Sequence, residues 1–502
     1  MASVFKSSRN YLFLLLISFW PSLNFTSINI NQNLISLDIY EISFYLFLFV
    51  AITYFFLGLI FDKDKSTIIL SAVIISLFLF GGYESLFISL FKTINNSAIF
   101  SLVLCFISFL LLFFVLILLI KKYNFLIIII FFISFLYLPT IVRLLINLDQ
   151  QKLVSNISLE ENLDQKKINN NKFVFNKFHN VYFIILDQYA RKDILQNILN
   201  FDNTAFLNQL KKRDFFVSVN SHSNYNRTGL TLSTSFNMNY YTDVNTYNNY
   251  LITQNSKSHS IFEDNSYDFI FVESGGNSEI ACSGKENYCI KSGNFGDDVA
   301  LFIKMTPIWR LMRTQYFNIY RYFESLYVLT DLDHAIEMAI LKYKDIDKKY
   351  FLFAHILSPH EPQRFNEDCS KYLVLNPELG HPSSSQYLTD LPCLNEQVIK
   401  TIDYILENDQ TDPIILLQSD HGISHEMQGI IASDKLIRLK NLMTFKLPNN
   451  CKKYYYDTIS PVNNMHLVFS CLTDKKPNFV KDKYFFTNQN KFELDEVTGY
   501  LN

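Results

Sequence analysis

Residues 413–422 read Pro-Ile-Ile-Leu-Leu-Gln-Ser-Asp-His-Gly. Four apolar residues in a row, bounded by a proline and a polar turn, are the pattern of a strand buried on both faces. A carboxylate and an imidazole at its end, with a glycine to permit a tight turn, are an economical way to present two metal ligands. The triplet also reads as an ordinary strand-to-loop turn, so its neighbours in the fold must decide.

Working outward, the same kind of run recurs. Val181–Leu186 is apolar and ends at Asp187, and Tyr350–Leu357 is apolar and leads into His355-Ile-Leu-Ser-Pro-His360-Glu-Pro. Further strands are expected at Phe215–Val219, Tyr267–Val272 and Leu442–Phe445. Amphipathic segments at about 190–200, 203–213, 298–325, 331–346 and 384–408 lie between them. Strands alternating with helices predict an α/β/α sandwich with a mostly parallel sheet covered on both faces. Ligands in such sheets bind beyond the carboxyl ends of the strands. That singles out Asp187, His360, Asp420 and His421. The stretch Asn224-Tyr-Asn-Arg-Thr228-Gly-Leu-Thr-Leu-Ser adds a helix beginning near Thr228.

Each of these residues has a plain reading. Asp187 can cap the following helix or start a turn, Thr228 can be a helix N-cap, and His360 can be a loop residue between prolines. As a set they suit one divalent ion such as Zn²⁺ or Mn²⁺, held by Asp187, Thr228, Asp420 and His421. Such an ion lowers the pKa of a bound hydroxyl, and a helix N-terminus favours an alkoxide and an incoming anion. Thr228 is then the candidate nucleophile, and His360 the candidate donor to a non-bridging oxygen or leaving group. This equipment suits displacement at phosphorus through a phospho-threonine.

The 502-residue chain is 49% hydrophobic and 18% charged, with a formal net charge of −3. These averages exclude disorder and a nucleic-acid protein built on bulk positive charge. They also hide an asymmetry. Residues 1–147 carry apolar stretches at about 11–30, 43–61, 67–91, 98–120 and 124–147, each near the ~20 residues that cross a bilayer as a helix. Richer Lys/Arg flanks alternate in the sense of a cytoplasmic N-terminus, which puts the large domain outside the cytoplasmic membrane. A cleaved signal peptide would leave four spans and the same outcome. Residues 148–179 are polar and read as a linker, and 180–502 as an external domain.

Cysteine usage agrees. Cys105 lies in a span, while Cys282, Cys289, Cys369, Cys393, Cys451 and Cys471 lie in the external domain. An even number in an oxidising space suggests disulfides, and sequential pairing (282–289, 369–393, 451–471) closes the shortest loops. Free buried thiols are the alternative.

Asp187, Thr228, Ser-Pro-His360-Glu-Pro and Ser-Asp420-His421-Gly422 stand in the order of motifs of one known group. The external domain resembles the alkaline-phosphatase/sulfatase superfamily, and five spans before it resemble lipoteichoic acid synthases and lipid A phosphoethanolamine transferases. The resemblance implies a metal bound by Asp187, Thr228, Asp420 and His421, with Thr228 as nucleophile. The Cys/Ser-x-Pro-x-Arg sequence that sulfatases mature to formylglycine is missing, since the stretch here is Arg227-Thr228-Gly-Leu-Thr. His355, His360 and His425 are candidates for a second ion, without convincing spacing, and His355 reads equally as a packed, hydrogen-bonded strand histidine. The expected activity is transfer of a phosphorylated head group from a membrane lipid donor to an external glycan or glycolipid acceptor. The alternatives are a phosphodiesterase or phosphatase using water, or a non-catalytic membrane protein with a decayed domain.

Overall fold

The computed structural model describes residues 2–29, 37–90, 107, 110, 114, 133–148, 173–241, 256–272, 286–290, 302–303, 305–307, 331–360, 365–370, 384–425, 427, 434–487 and 494–501. The chain divides into two compact units, one of residues 1–166 with 294–326, the other of 167–293 with 327–502. The segment 294–326, expected within the external domain, thus groups with the N-terminal unit.

In that first unit the helices Ala2–Asn29, Leu37–Ile60 and Lys63–Leu90 follow one another. Five spans are expected; among the described residues two stretches, Ser8–Ile28 and Ile39–Ile60, are apolar and long enough to cross a membrane. The start of the third helix carries Lys63, Asp64 and Lys65, and Ile133–Leu148 is shorter. Nearly all of 98–120 lies outside the described residues. The second helix exposes Phe44, Tyr45, Phe49, Ile52, Phe55, Phe56 and Leu59. A helix apolar all round, with its large side chains facing outward, is suited to lipid. Polar contacts join the helices from within. Trp20 Nε1 donates to the Leu136 carbonyl at 3.1 Å, and buried Asn10 donates to Tyr54 and to Asp64, which also pairs with Arg9 at 2.9 Å. Inside an apolar bundle such bonds hold helices in register. Phe302 is buried here against the rings of Phe25 and Phe78.

The second unit is built on a seven-stranded sheet. Its strands are β1 (Val181–Leu186), β2 (Phe216–Val217), β3 (Asp268–Val272), β4 (Tyr288–Ile290), β5 (Tyr350–Ile356), β6 (Ile414–Gln418) and β7 (Met443–Lys446). The order is β2-β7-β6-β1-β5-β3-β4, with β6, β1, β5, β3 and β4 parallel and the β7 side antiparallel. A separate hairpin joins β8 (Phe485–Thr487) to β9 (Leu494–Glu496).

Period-two alternation divides the apolar runs between two cores. Tyr182, Ile184, Leu352, Ala354, Ile415 and Leu417 face helices Thr204–Lys212, Leu332–Tyr343 and Ser384–Asn408. Val181, Phe183, Ile185, Phe351, Phe353, Ile414 and Leu416 face helices Thr228–Asn237, Lys257–Asp264 and Asn464–Thr473. Both faces of the strands are therefore covered, which is why they read as unbroken apolar runs. Each such side chain stabilises by about 1.5–3 kcal/mol relative to exposure. Two of the expected disulfides are present, Cys369–Cys393 and Cys451–Cys471. Cys289 is also disulfide-bonded, and Cys282 lies outside the described residues.

Candidate metal centre

Three neighbouring parallel strands, β6, β1 and β5, bring their carboxyl ends together at the centre of the sheet. Asp187 follows β1 directly, with its N–H donating to the Ile356 carbonyl of β5 at 2.9 Å. Asp420 follows β6 after a one-residue step through Ser419. The Ser419 hydroxyl donates to the Tyr189 carbonyl at 2.6 Å, and the Gln188 N–H donates to Asp420 Oδ1 at 3.1 Å. The loops after β1 and β6 are thus sewn to each other by hydrogen bonds.

Asp187, His355 and Asp420 are all buried, and each offers a ligand atom within 4.8 Å of the others. His355 Nε2 lies 3.5 Å from Asp187 Oδ2. Asp187 Oδ1, Asp420 Oδ2 and both ring nitrogens of His355 are buried without a hydrogen-bond partner. Two buried carboxylates with orphaned oxygens are costly unless a cation completes them. An Asp/His/Asp set with unsaturated donor atoms fits a divalent transition metal such as zinc or manganese.

His421 completes the arrangement on the β6 side. Its Nδ1 lies 2.9 Å from the Gly422 carbonyl, an oxygen that can only accept, so Nδ1 carries the proton. The Nε2 lone pair then faces Asp420 Oδ2 at 3.3 Å and Thr228 Oγ1 at 3.4 Å. Burial pushes the His421 pKa down, assisted by Arg438 and only partly opposed by Asp420, so the ring is neutral and available as a ligand or proton acceptor. For Asp187 burial acts upward, but its contacts with the imidazoles around it, His360 first and then His355, outweigh burial and hold the carboxyl well below its ordinary range.

Thr228 opens the helix Thr228–Asn237 and is half-buried, while Gly229 and the residues through Phe236 are buried. The N-cap is Arg227, in extended conformation, so Thr228 is the first helical residue and does not cap with its side chain. Its hydroxyl stands where the first backbone N–H groups and the dipole favour negative charge. His360 is held beside Asp187 by its own N–H, which donates to the Asp187 carbonyl at 3.2 Å.

Of the four expected ligands, Asp187 and Asp420 share the cluster with His355, while His421 reaches Asp420 at 3.3 Å and Thr228 reaches His421 at 3.4 Å; the backbone of His360 is tied to Asp187. His355 differs from its reading as a packed, hydrogen-bonded histidine, because neither ring nitrogen has a partner and the side chain sits against Asp187. A lone histidine in an apolar strand gives no signal of this; only the pairing of Ile185 with both His355 and Gln418 across the sheet places it there. Arg438 likewise gives no signal in the sequence. Its Nε donates to the Asn226 carbonyl at 2.9 Å, two residues before Thr228. Gly422 serves close approach: a Cβ there would lie 2.5 Å from the Lys440 carbonyl oxygen and 2.6 Å from that of Ile437.

No family model matches the chain. No curated protein sequence matches it either. Among solved structures it is similar to the C-terminal periplasmic domain of EptC from Escherichia coli in complex with Zn, at 14% identity and TM-score 0.43, over 65% of this chain and 95% of that one. It is similar to the soluble domain of lipooligosaccharide phosphoethanolamine transferase A from Neisseria meningitidis, at 14% identity and TM-score 0.41, over 62% and 92%. It is also similar to the lipoteichoic acid synthase LtaP from Listeria monocytogenes, at 11% identity and TM-score 0.41, over 62% and 77%. At these values the likenesses carry no functional weight, which rests on the residues themselves.

Proposed function

We propose that the protein is a membrane-anchored, metal-dependent phosphotransferase. It would move a phosphorylated lipid head group to an external glycan or glycolipid through a phospho-threonine at Thr228. The observation that carries this reading is a half-buried threonine at the start of a helix, its hydroxyl 3.4 Å from His421 Nε2, which itself lies 3.3 Å from Asp420 of the buried Asp187/His355/Asp420 cluster.

Asp187, His355, Asp420 and His421 would hold one divalent ion, zinc or manganese. When bound, the ion supplies Lewis-acid stabilisation of negative charge on oxygen. Thr228 Oγ attacks phosphorus, and the bond to the lipid alkoxide breaks. With Nε2 of His421 given to the ion and Nδ1 already protonated, the Thr228 proton leaves to solvent, helped by the helix N-terminus that favours the alkoxide. The N–H groups opening the Thr228 helix face the equatorial oxygens. His360 donates to the departing oxygen. An acceptor hydroxyl then attacks the phospho-threonine and regenerates Thr228.

The N-terminal unit supports a membrane anchor. We propose five spans, with the catalytic unit on the far side of the membrane from the N-terminus. Confinement to the bilayer suits a donor that is itself confined there. Hydrolysis with water as acceptor would use the same groups.

Purified full-length protein incubated with head-group-labelled phospholipids tests the reading. The expected result is a labelled peptide containing Thr228, absent from Thr228→Ala. A label on another residue, or none with any phospholipid class, sinks the proposal.

A further inference from the structure

The helix Ser384–Asn408 packs against the sheet face opposite the Thr228 helix, yet its first turns reach the metal loops. Tyr387 is buried there. Its hydroxyl accepts from the Ala190 N–H at 3.0 Å and donates to the Gln188 carbonyl at 3.0 Å. Both groups belong to the turn that follows Asp187. Gln188 has φ 63, the left-handed region that a residue with a Cβ adopts at a cost. Its N–H is the group that donates to Asp420 Oδ1. One strained turn therefore sets the spacing of the two carboxylates, and one phenol ties both of its ends. Burial holds that phenol far above its ordinary pKa, so it keeps its proton.

One turn along the same helix, buried Asp390 accepts from the Phe365 N–H at 3.0 Å and from the Ser358 hydroxyl at 3.4 Å. Ser358 stands two residues before His360. Residue spacing of three places both anchors on one helix face.

We infer that Tyr387 is a positioning residue for the cation: it holds the left-handed Gln188 turn and so fixes Asp187 and Asp420 at ligating distance. The inference rests on the metal reading proposed above and deepens it. Groups that orient metal ligands typically change affinity about 10- to 100-fold when removed.

The test is isothermal titration of Zn²⁺ and of Mn²⁺, each alone, into metal-stripped full-length protein in detergent. Tyr387→Phe is compared with wild type and with Tyr189→Phe. Tyr189 is also buried, but its hydroxyl bonds the side chains of Asn395 and Asn203 instead of the turn backbone. The expected result is about tenfold or greater weakening in Tyr387→Phe, with Tyr189→Phe like wild type. Unchanged affinity in Tyr387→Phe, or equal weakening in both variants, overturns the inference. Wild type that binds neither ion removes the metal reading itself. Should Tyr387→Phe not accumulate as folded protein, it is combined with Gln188→Gly, whose glycine adopts the turn freely. Affinity well below that of Gln188→Gly alone then supports the role, and equal affinity overturns it.

Discussion

His355 and Asp187 meet across the β1–β5 pair, ring Nε2 to carboxylate Oδ2 at 3.5 Å, both completely or almost completely buried. The ring makes no hydrogen bond at either nitrogen. A histidine kept in the core for packing alone would normally satisfy at least one. Such a pair suits two ligands of one cation, as proposed above. His355→Gln should therefore lower Zn²⁺ or Mn²⁺ affinity at least tenfold, an effect on the scale of lost ligand-orienting groups or larger. Equilibrium dialysis of metal-stripped protein checks this, and unchanged affinity would make His355 a core residue after all.

Thr228 should divide substitutions by chemistry. Thr228→Ser keeps a hydroxyl at the helix start and should retain adduct formation. Thr228→Ala should lose the adduct and reduce transfer by roughly 10³-fold or more, the scale on which removed nucleophiles act. Single-turnover assays with labelled phospholipid measure both. Transfer by Thr228→Ala at near wild-type rate would show that phosphorus never passes through this residue.

Much of this geometry was legible in the sequence, and the exceptions have physical causes. β1, β5 and β6 were legible because strands buried on both faces must be continuously apolar, and each hands its chain to a polar residue at the carboxyl end. β4 was not, because Tyr288–Ile290 is a three-residue edge strand whose Cys289 serves a disulfide. Thr228 was legible as the start of a helix, but not as its first residue rather than its cap. His355 was hidden by the apolar run around it, since a ligand's partners are far away in the chain. Gly422 was legible as a requirement but for another reason, namely two carbonyl oxygens packed where a side chain would go.

That crowding gives a prediction. Gly422→Ala places a methyl 2.5 Å and 2.6 Å from two backbone oxygens, which cannot swing aside as side chains do. Overpacking of this kind costs typically about 1–3 kcal/mol. Because His421 precedes the glycine and bonds its carbonyl, metal affinity should fall along with thermal stability. A melting temperature and titration both equal to wild type would mean that the Lys435–Leu439 segment gives way freely.

The Cys451–Cys471 disulfide closes a separation of 20 residues within the phenylalanine-rich core. Chain-entropy reasoning assigns such a loop about 3 kcal/mol. Both sulfurs belong to buried residues, so reductant should act only on unfolded or opened protein. Cys451→Ser with Cys471→Ser should lower the melting temperature without altering metal stoichiometry. A loss of metal would tie this bridge to the site, which lies at the other end of β6.

His222 should give the protein an acid limit unrelated to catalysis. The ring is buried against Arg191, whose Nη1 lies 3.3 Å from Nε2, and against the ring of Tyr484. Burial first, then the positive charges of Arg191 and Lys440, push its pKa down from 6.5 to about 4, with Asp193 opposing weakly. In the unfolded chain the ring takes its proton as the pH falls through about 6.5, while the folded ring refuses it until about 4. Protonation therefore favours the unfolded state across that window. Stability from this residue is full above pH 6.5 and declines towards pH 4, by a total of about 3 kcal/mol. His466, lowered to about 4 by burial and Lys257, adds in the same direction. His222→Gln keeps an acceptor for Arg191 but does not titrate. Melting temperatures followed from pH 7.5 to pH 4 should fall less steeply in that variant than in wild type. Parallel curves would assign the acid sensitivity to other groups.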